Sequence, residues 1–189
     1  MPGLRKSGIR SLGTVFGYQG GGSTGKQGCQ INGPFNEFQL FTNIRSLSRR
    51  AFQDSMLTEL ALPVGIAVIP DFAFASLSSS GILVKCDLHE GITRLGQYAM
   101  SGTGIPIITV PSTVTIIGDR CFSGYVEQTI VFMPLTPPTL ETDNAFGDSS
   151  STRSTKKIYV PDESLEAYKS AQYWSTVANR IFPMSELYS

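Results

Sequence analysis

Gly20-Gly21-Gly22-Ser23-Thr24-Gly25-Lys26-Gln27 is the segment nearest to a chemical motif. It fits the G-x-x-x-x-G-K pattern of a phosphate-cradling loop, but Gln27 stands where a Ser or Thr hydroxyl would hold magnesium. Such a loop also needs a helix behind it, with N-terminal amides facing the phosphates. Gly28-Cys29-Gln30-Ile31-Asn32-Gly33-Pro34 cannot open a helix, so these glycines read as linker. His89 is the lone histidine, with Asp87 and Glu90 beside it. One imidazole and two carboxylates in a turn are sparse for a metal, and the expectation is a solvated rim residue. A serine nucleophile would need a general base within reach, and none is evident. Cys29, Cys86 and Cys121 are odd in number and lack the C-x-x-C spacing of a zinc or redox site. The acidic pairs Glu141/Asp143 and Asp162/Glu163 fall in loops or at a helix start, where carboxylates complement amide dipoles. The residues therefore predict no catalytic group, no metal site and no cofactor. The chain is expected not to be an enzyme.

What must position any functional surface is a repeat. The pairs Ala51-Phe52, Ala73-Phe74, Ala99-Met100, Cys121-Phe122 and Ala145-Phe146 recur at intervals of 22, 26, 22 and 24 residues. Four positions before the small residue of the first four pairs stand Leu47, Ile69, Leu95 and Ile117, and three earlier Ile44, Ile66, Ile92 and Val114. Leu40, Leu62, Leu88 and Val110 precede those, and Phe38, Leu60, Cys86 and Ile108 lie two residues further back. Apolar residues two apart put both side chains on one face of a short strand, and Pro63 and Pro111 end two of these strands. One such unit cannot bury its own apolar face. Stacked units can, each laying its strand beside the next in one parallel sheet, with Phe52, Phe74, Met100, Phe122 and Phe146 as a core column. Cys86 and Cys121 fall on inward positions, where a thiol acts as a small hydrophobe, which suits a reducing compartment or buried thiols in an oxidising one.

The strands IPIITVPSTVTIIGDRCFSG and LTELALPVGIAVIPDFAFAS resemble the BspA-type leucine-rich repeat, and the resemblance runs over about residues 35 to 184. It implies a β-rich solenoid with a parallel sheet on one face and a C-terminal helical cap. It also implies binding or adhesion, often at the surface of gut Bacteroidota, where such arrays are usually exported. The division expected is a basic glycine-rich arm over 1–34, a solenoid of about five units over 35–156, and a terminal strand with capping helix over 157–189. In the last part Ile158 and Val160 form the strand. Asp162 or Ser164 is placed to cap one helix, whose stripe runs Leu165, Tyr168, Trp174, Val177, Ile181.

The arm carries Arg5, Lys6, Arg10 and Lys26 with no acidic residue before Glu37, and holds ten of the nineteen glycines by Gly33, so it is expected to be extended and to order on a partner. A net charge of zero excludes a wholesale polyanion partner such as naked nucleic acid. No stretch is long and apolar enough for a membrane span or an export signal, so the expectation is a soluble chain. The candidate binding residues are the outward strand positions Thr58, Glu59, Ala61, Lys85, Asp87, Ile107 and Thr109, facing a protein or glycan ligand. The alternative is a structural subunit of a bacteriophage virion or tail, docked to other subunits through residues 1–34 with the repeats displayed outward.

Overall fold

The computed structural model describes residues 14–15, 37–39, 44–76, 83–124, 127–147 and 156–187. Most of the expected arm lies outside these residues. In chain order the strands are β1 (Thr14–Val15), β2 (Glu37–Gln39), β3 (Ser46–Leu47), β4 (Glu59–Ala61), β5 (Val68–Ile69), β6 (Lys85–Asp87) and β7 (Arg94–Leu95). They continue as β8 (Ile107–Val110), β9 (Ile116–Ile117), β10 (Thr129–Phe132), β11 (Thr139–Leu140), β12 (Lys157–Val160) and β13 (Ile181–Pro183). One helix, α1 (Leu165–Ser170), lies between the last two. All pairings are parallel.

Each repeat unit turns three corners. Its first strand carries an inward residue between two outward ones, as in the exposed–buried–exposed pattern of Glu59-Leu60-Ala61 and Lys85-Cys86-Asp87. Its second strand is two residues long, and β5, β7, β9 and β11 pair without interruption. The third corner is a turn around the Ala-Phe pair. Here alternate amides reach the next unit: Phe52 N–H donates to the Ala73 carbonyl (2.8 Å), Phe74 to Ala99 (3.0 Å), Met100 to Cys121 (3.0 Å) and Phe122 to Ala145 (2.8 Å). A left-handed residue opens each of these turns: Arg50, Phe72, Tyr98 and Arg120 have φ of 61°, 57°, 53° and 50°. The recurrence at one repeat position marks a fixed turn geometry, since bulky residues rarely accept positive φ alone.

Stacking follows from these bonds. Phe52 and Phe74 stack at 5.8 Å, Phe122 and Phe146 stack at 5.8 Å, and the fully buried Met100 continues the column between them. Leu60, Cys86, Ile108, Ile130, Ile158 and Ile181 form a parallel inner column beneath the first strands, all 5% exposed or less. Each fully buried aliphatic or aromatic side chain of this kind contributes roughly 1.5–3 kcal/mol of transfer free energy.

The structure departs from expectation at three places. The first strands do not form one sheet: β2, β4 and β6 make one, β8, β10, β12 and β13 another, and β6 does not pair with β8. Pro106 explains the break. In the preceding rung Val84 N–H and Lys85 N–H both donate to the Thr58 carbonyl, at 2.8 and 3.2 Å, and proline at the position of Val84 has no N–H to give. Second, residues 164–181 are not one helix. α1 stops at Ala171, which is extended, and Tyr173 is left-handed (φ 65°). A 3-10 turn then spans Trp174–Arg180, and Ile181 lies in β13, paired with Ile158. Asp162 and Ser164 make no capping bond: Asp162 accepts from Ser185 N–H (3.0 Å) and the Ser164 hydroxyl donates to the Leu135 carbonyl (2.7 Å). Third, Thr14–Val15 within the expected extended arm pair with Ser46–Leu47, adding a strand beside β3.

The chain after β12 packs on the last rung. Trp174 lies edge-on to Phe132 (5.0 Å) and close to Phe146 (5.3 Å), and its indole N–H donates to the Pro138 carbonyl (2.8 Å). The Tyr168 hydroxyl donates to the Pro134 carbonyl (2.7 Å).

Candidate functional site

The break between β6 and β8 is also a cleft of about 200 Å³, bordered by Lys85, Asp87, Ile107, Thr109, Val84 and Pro106 among others. Four of the seven outward residues read from the sequence thus meet at one place. Strand alternation decides what the walls offer. Lys85 N–H points to β4, while the carbonyls of Pro106 and Val110 accept from Thr129 and Met133, on the β10 side. The amide and carbonyl of Cys86, and those of Ile107 and Thr109, therefore face the gap. The cleft is closed at both ends. Gly104 N–H donates to the Leu83 carbonyl (2.9 Å) at one, and Ser112 N–H to the Glu90 carboxylate (3.0 Å) with Gly91 N–H to the Thr113 hydroxyl (2.9 Å) at the other.

The rim combines apolar and acidic character. Ile107 is 58% exposed and Val84 47%, the kind of uncovered apolar surface that marks an interaction site when clustered. Lys85 lies 3.9 Å from Glu59, a long and exposed ion pair of little energetic weight. Asp87 has no hydrogen bond or ion pair among the described residues. Glu90 is held below the usual carboxylate range by Ser112, whose amide and hydroxyl both donate to it. Glu59 and Ala61 sit one rung away on β4, exposed. Thr58 is half-buried, and its carbonyl accepts the two amides that tie β6 to β4.

His89 is half-buried at the rim and joins two units: Nε2 lies 2.8 Å from the Pro63 carbonyl oxygen and Nδ1 2.7 Å from that of Glu90. Its ring occupies the place that proline fills in the neighbouring units. Cys86 and Cys121 are buried free thiols. Burial, and secondarily the charge of Asp87, push the Cys86 thiol up to about 12, and burial raises Cys121 further, so neither is a ready thiolate. Among the described residues no group of three or more His, Cys, Asp and Glu side chains could hold a metal.

A second surface feature was not foreseen. On the turn edge Phe72 and Tyr98 stack at 4.9 Å, with Arg49 and Arg50 over Phe72 and Arg120 over Tyr98. The signal was present in the sequence as the residue before each small-aromatic pair, a position with no apolar regularity to draw notice.

A family model for the BspA type leucine-rich repeat region matches residues 28–129 in six copies, just over half of the chain. The chain belongs to the BspA-type leucine-rich repeat family. No curated protein matches it. A BspA-type repeat array is solenoid-like and is an interaction or adhesion module, so its outward residues are where function is to be sought. No helix among the described residues of this repeat protein is long and apolar enough to cross a membrane.

Proposed function

We propose that the chain binds a protein partner through the outward face of its first strands, centred on the β6–β8 cleft. The convergence of Lys85, Asp87, Ile107 and Thr109 on one opening carries this reading. A partner loop gains there both apolar contact, from Ile107 and Val84, and backbone hydrogen bonds that the split sheet leaves unused. A glycan offers hydroxyls for the same groups, and its binding is the competing outcome. The segment after β12 serves as the cap of the array, placing Tyr168 and Trp174 over the apolar end of the last rung.

Paired arrays of extracellular proteins and glycans, probed with the wild-type chain and Ile107→Asp, test the binding face. The expected result is a protein ligand whose affinity falls at least about tenfold in Ile107→Asp, because a charge enters the apolar part of the contact. A protein ligand held equally by both forms would end the proposal, as would selective binding of glycans alone. For the cap, Trp174→Ala is expected to cost about 3–5 kcal/mol in urea unfolding, with aggregation of the opened end seen by light scattering.

A further inference from the structure

We propose that the first-strand face pairs with the same face of a second copy of the chain, about a two-fold axis that runs along β8 over Ile107 and Thr109. This rests on that face being the binding face and names its partner.

The order of the outward residues along the array carries the argument. The row that opens each first strand holds Glu59 on β4, Lys85 on β6, Ile107 on β8, Thr129 on β10 and Lys157 on β12. Asp87 follows Lys85 on the same outward side, as Thr109 follows Ile107. Charge is thus divided about β8. On one side Glu59, Lys85 and Asp87 leave an acidic excess, with Lys85 only 3.9 Å from Glu59. On the other stands Lys157, exposed and with no hydrogen bond or ion pair of its side chain among the described residues. Between them Ile107, at 58%, is the most exposed large apolar side chain of these strands among the described residues.

Spacing makes this face complementary to itself. Glu59 and Lys157 each stand two rungs from Ile107, roughly 10 Å at about 4.8 Å per rung. A half-turn about β8 reverses the order of the rungs and keeps the direction of the strands. It sets Glu59 of each copy opposite Lys157 of the other, with Asp87 on the next rung, and brings Ile107 against Ile107. The pair therefore has an apolar centre and two charge contacts, with its sheets in the aligned class of face-to-face packing. The same surface is used on both copies, so the contact closes as a dimer and does not propagate. The face is small beside a standard interface, so the association is weak.

Light scattering after size exclusion of the full-length chain, over a concentration series reaching about 1 mM, reads the pairing. The expected mass climbs from one chain towards two and stops there, more readily at low salt. Ile107→Asp sets two carboxylates face to face at the axis and is expected to weaken association at least about tenfold, as are Glu59→Lys and Lys157→Glu. Circular dichroism checks that these exposed changes leave the fold intact. The double variant Glu59→Lys/Lys157→Glu exchanges the two charges and is expected to associate again, as is an equal mixture of the two single variants. A wild-type chain that stays monomeric to the top of the series overturns the proposal. So does growth beyond two copies, association undiminished in Ile107→Asp, or a double variant that pairs no better than the single ones. A monomeric wild type that still binds an external protein in an Ile107-dependent way overturns the second copy as partner and leaves the binding face standing.

Discussion

Lys156 is 2% exposed, and its ammonium donates to the Gly124 carbonyl at 2.7 Å with no carboxylate paired to it among the described residues. Burial, helped by the charge of Arg180, lowers its pKa from 10.5 to about 8. The unfolded chain therefore holds this proton between about pH 8 and 10.5 while the folded chain has released it, so stability rises with pH across that window. The buried thiols act in the opposite sense. Cys86 is raised from 9.0 to about 12 and Cys121 is raised as well, so above pH 9 the folded chain retains protons that the unfolded chain loses. Urea unfolding across the alkaline range is expected to show stability climbing from pH 8 to 9 and declining beyond. Lys156→Met should remove the climb and add roughly 1–3 kcal/mol at neutral pH, since it deletes a buried charge with no carboxylate paired to it among the described residues. A flat profile in the wild type would show that the ammonium is better solvated than its burial implies.

The strand and turn elements depend on close approach between rungs. A Cβ on Gly96 would stand 2.6 Å from the Asp71 amide nitrogen and 2.7 Å from the Pro70 carbonyl carbon, both backbone atoms of the rung below. Gly96→Ala is expected to lower stability by about 1–3 kcal/mol, measured by thermal melting, because a rung must lift to admit the methyl. The repeat itself was legible from spacing. Leu60, Cys86 and Ile108, two residues before Leu62, Leu88 and Val110, announced a strand face that the register of β4 with β6 and β8 with β10 now displays. Less was legible where a single residue changes direction. Pro106 replaces a hydrogen-bond donor without disturbing the apolar pattern, so the split beside it was hidden. The stripe Leu165, Tyr168, Trp174, Val177, Ile181 steps by three or four except for the step of six from Tyr168 to Trp174, and it is inside that step that Ala171 turns extended and Tyr173 left-handed. Thr14–Val15 were concealed by the surrounding glycines, since two residues of strand carry no periodicity. Glu59, Ala61, Lys85, Asp87, Ile107 and Thr109 lie on first strands while Thr58 precedes β4 and is half-buried, and no sequence signal said that four of the seven meet around one opening.

Across the whole molecule the turn edge has a consistent polarity. Arg50, Phe52 and Asp54 donate their amides to Asp71, Ala73 and Ala75, and the same direction holds from Phe72, Phe74 and Ser76 to Gln97, Ala99 and Ser101, and onward through Tyr98, Met100 and Gly102. Peptide dipoles of about 3.5 D aligned in this way sum along an axis, as they do in an α-helix. The carbonyl-bearing, electronegative pole lies at the first unit, beside Arg45, Arg49 and Arg50. The amide-bearing, electropositive pole lies at the fifth, beside Glu141 and Asp143. Side-chain charge thus opposes the backbone field at both poles, and Asp143→Lys is expected to cost up to about 1 kcal/mol at low ionic strength and much less in high salt. The polarity belongs to that edge alone: at the second strands Thr93, Gly96, Thr115 and Gly118 donate back to Ala67, Ile69, Thr93 and Leu95, so each added unit brings a turn dipole together with an opposing set, and the array carries two antiparallel electrostatic seams in place of one axial field.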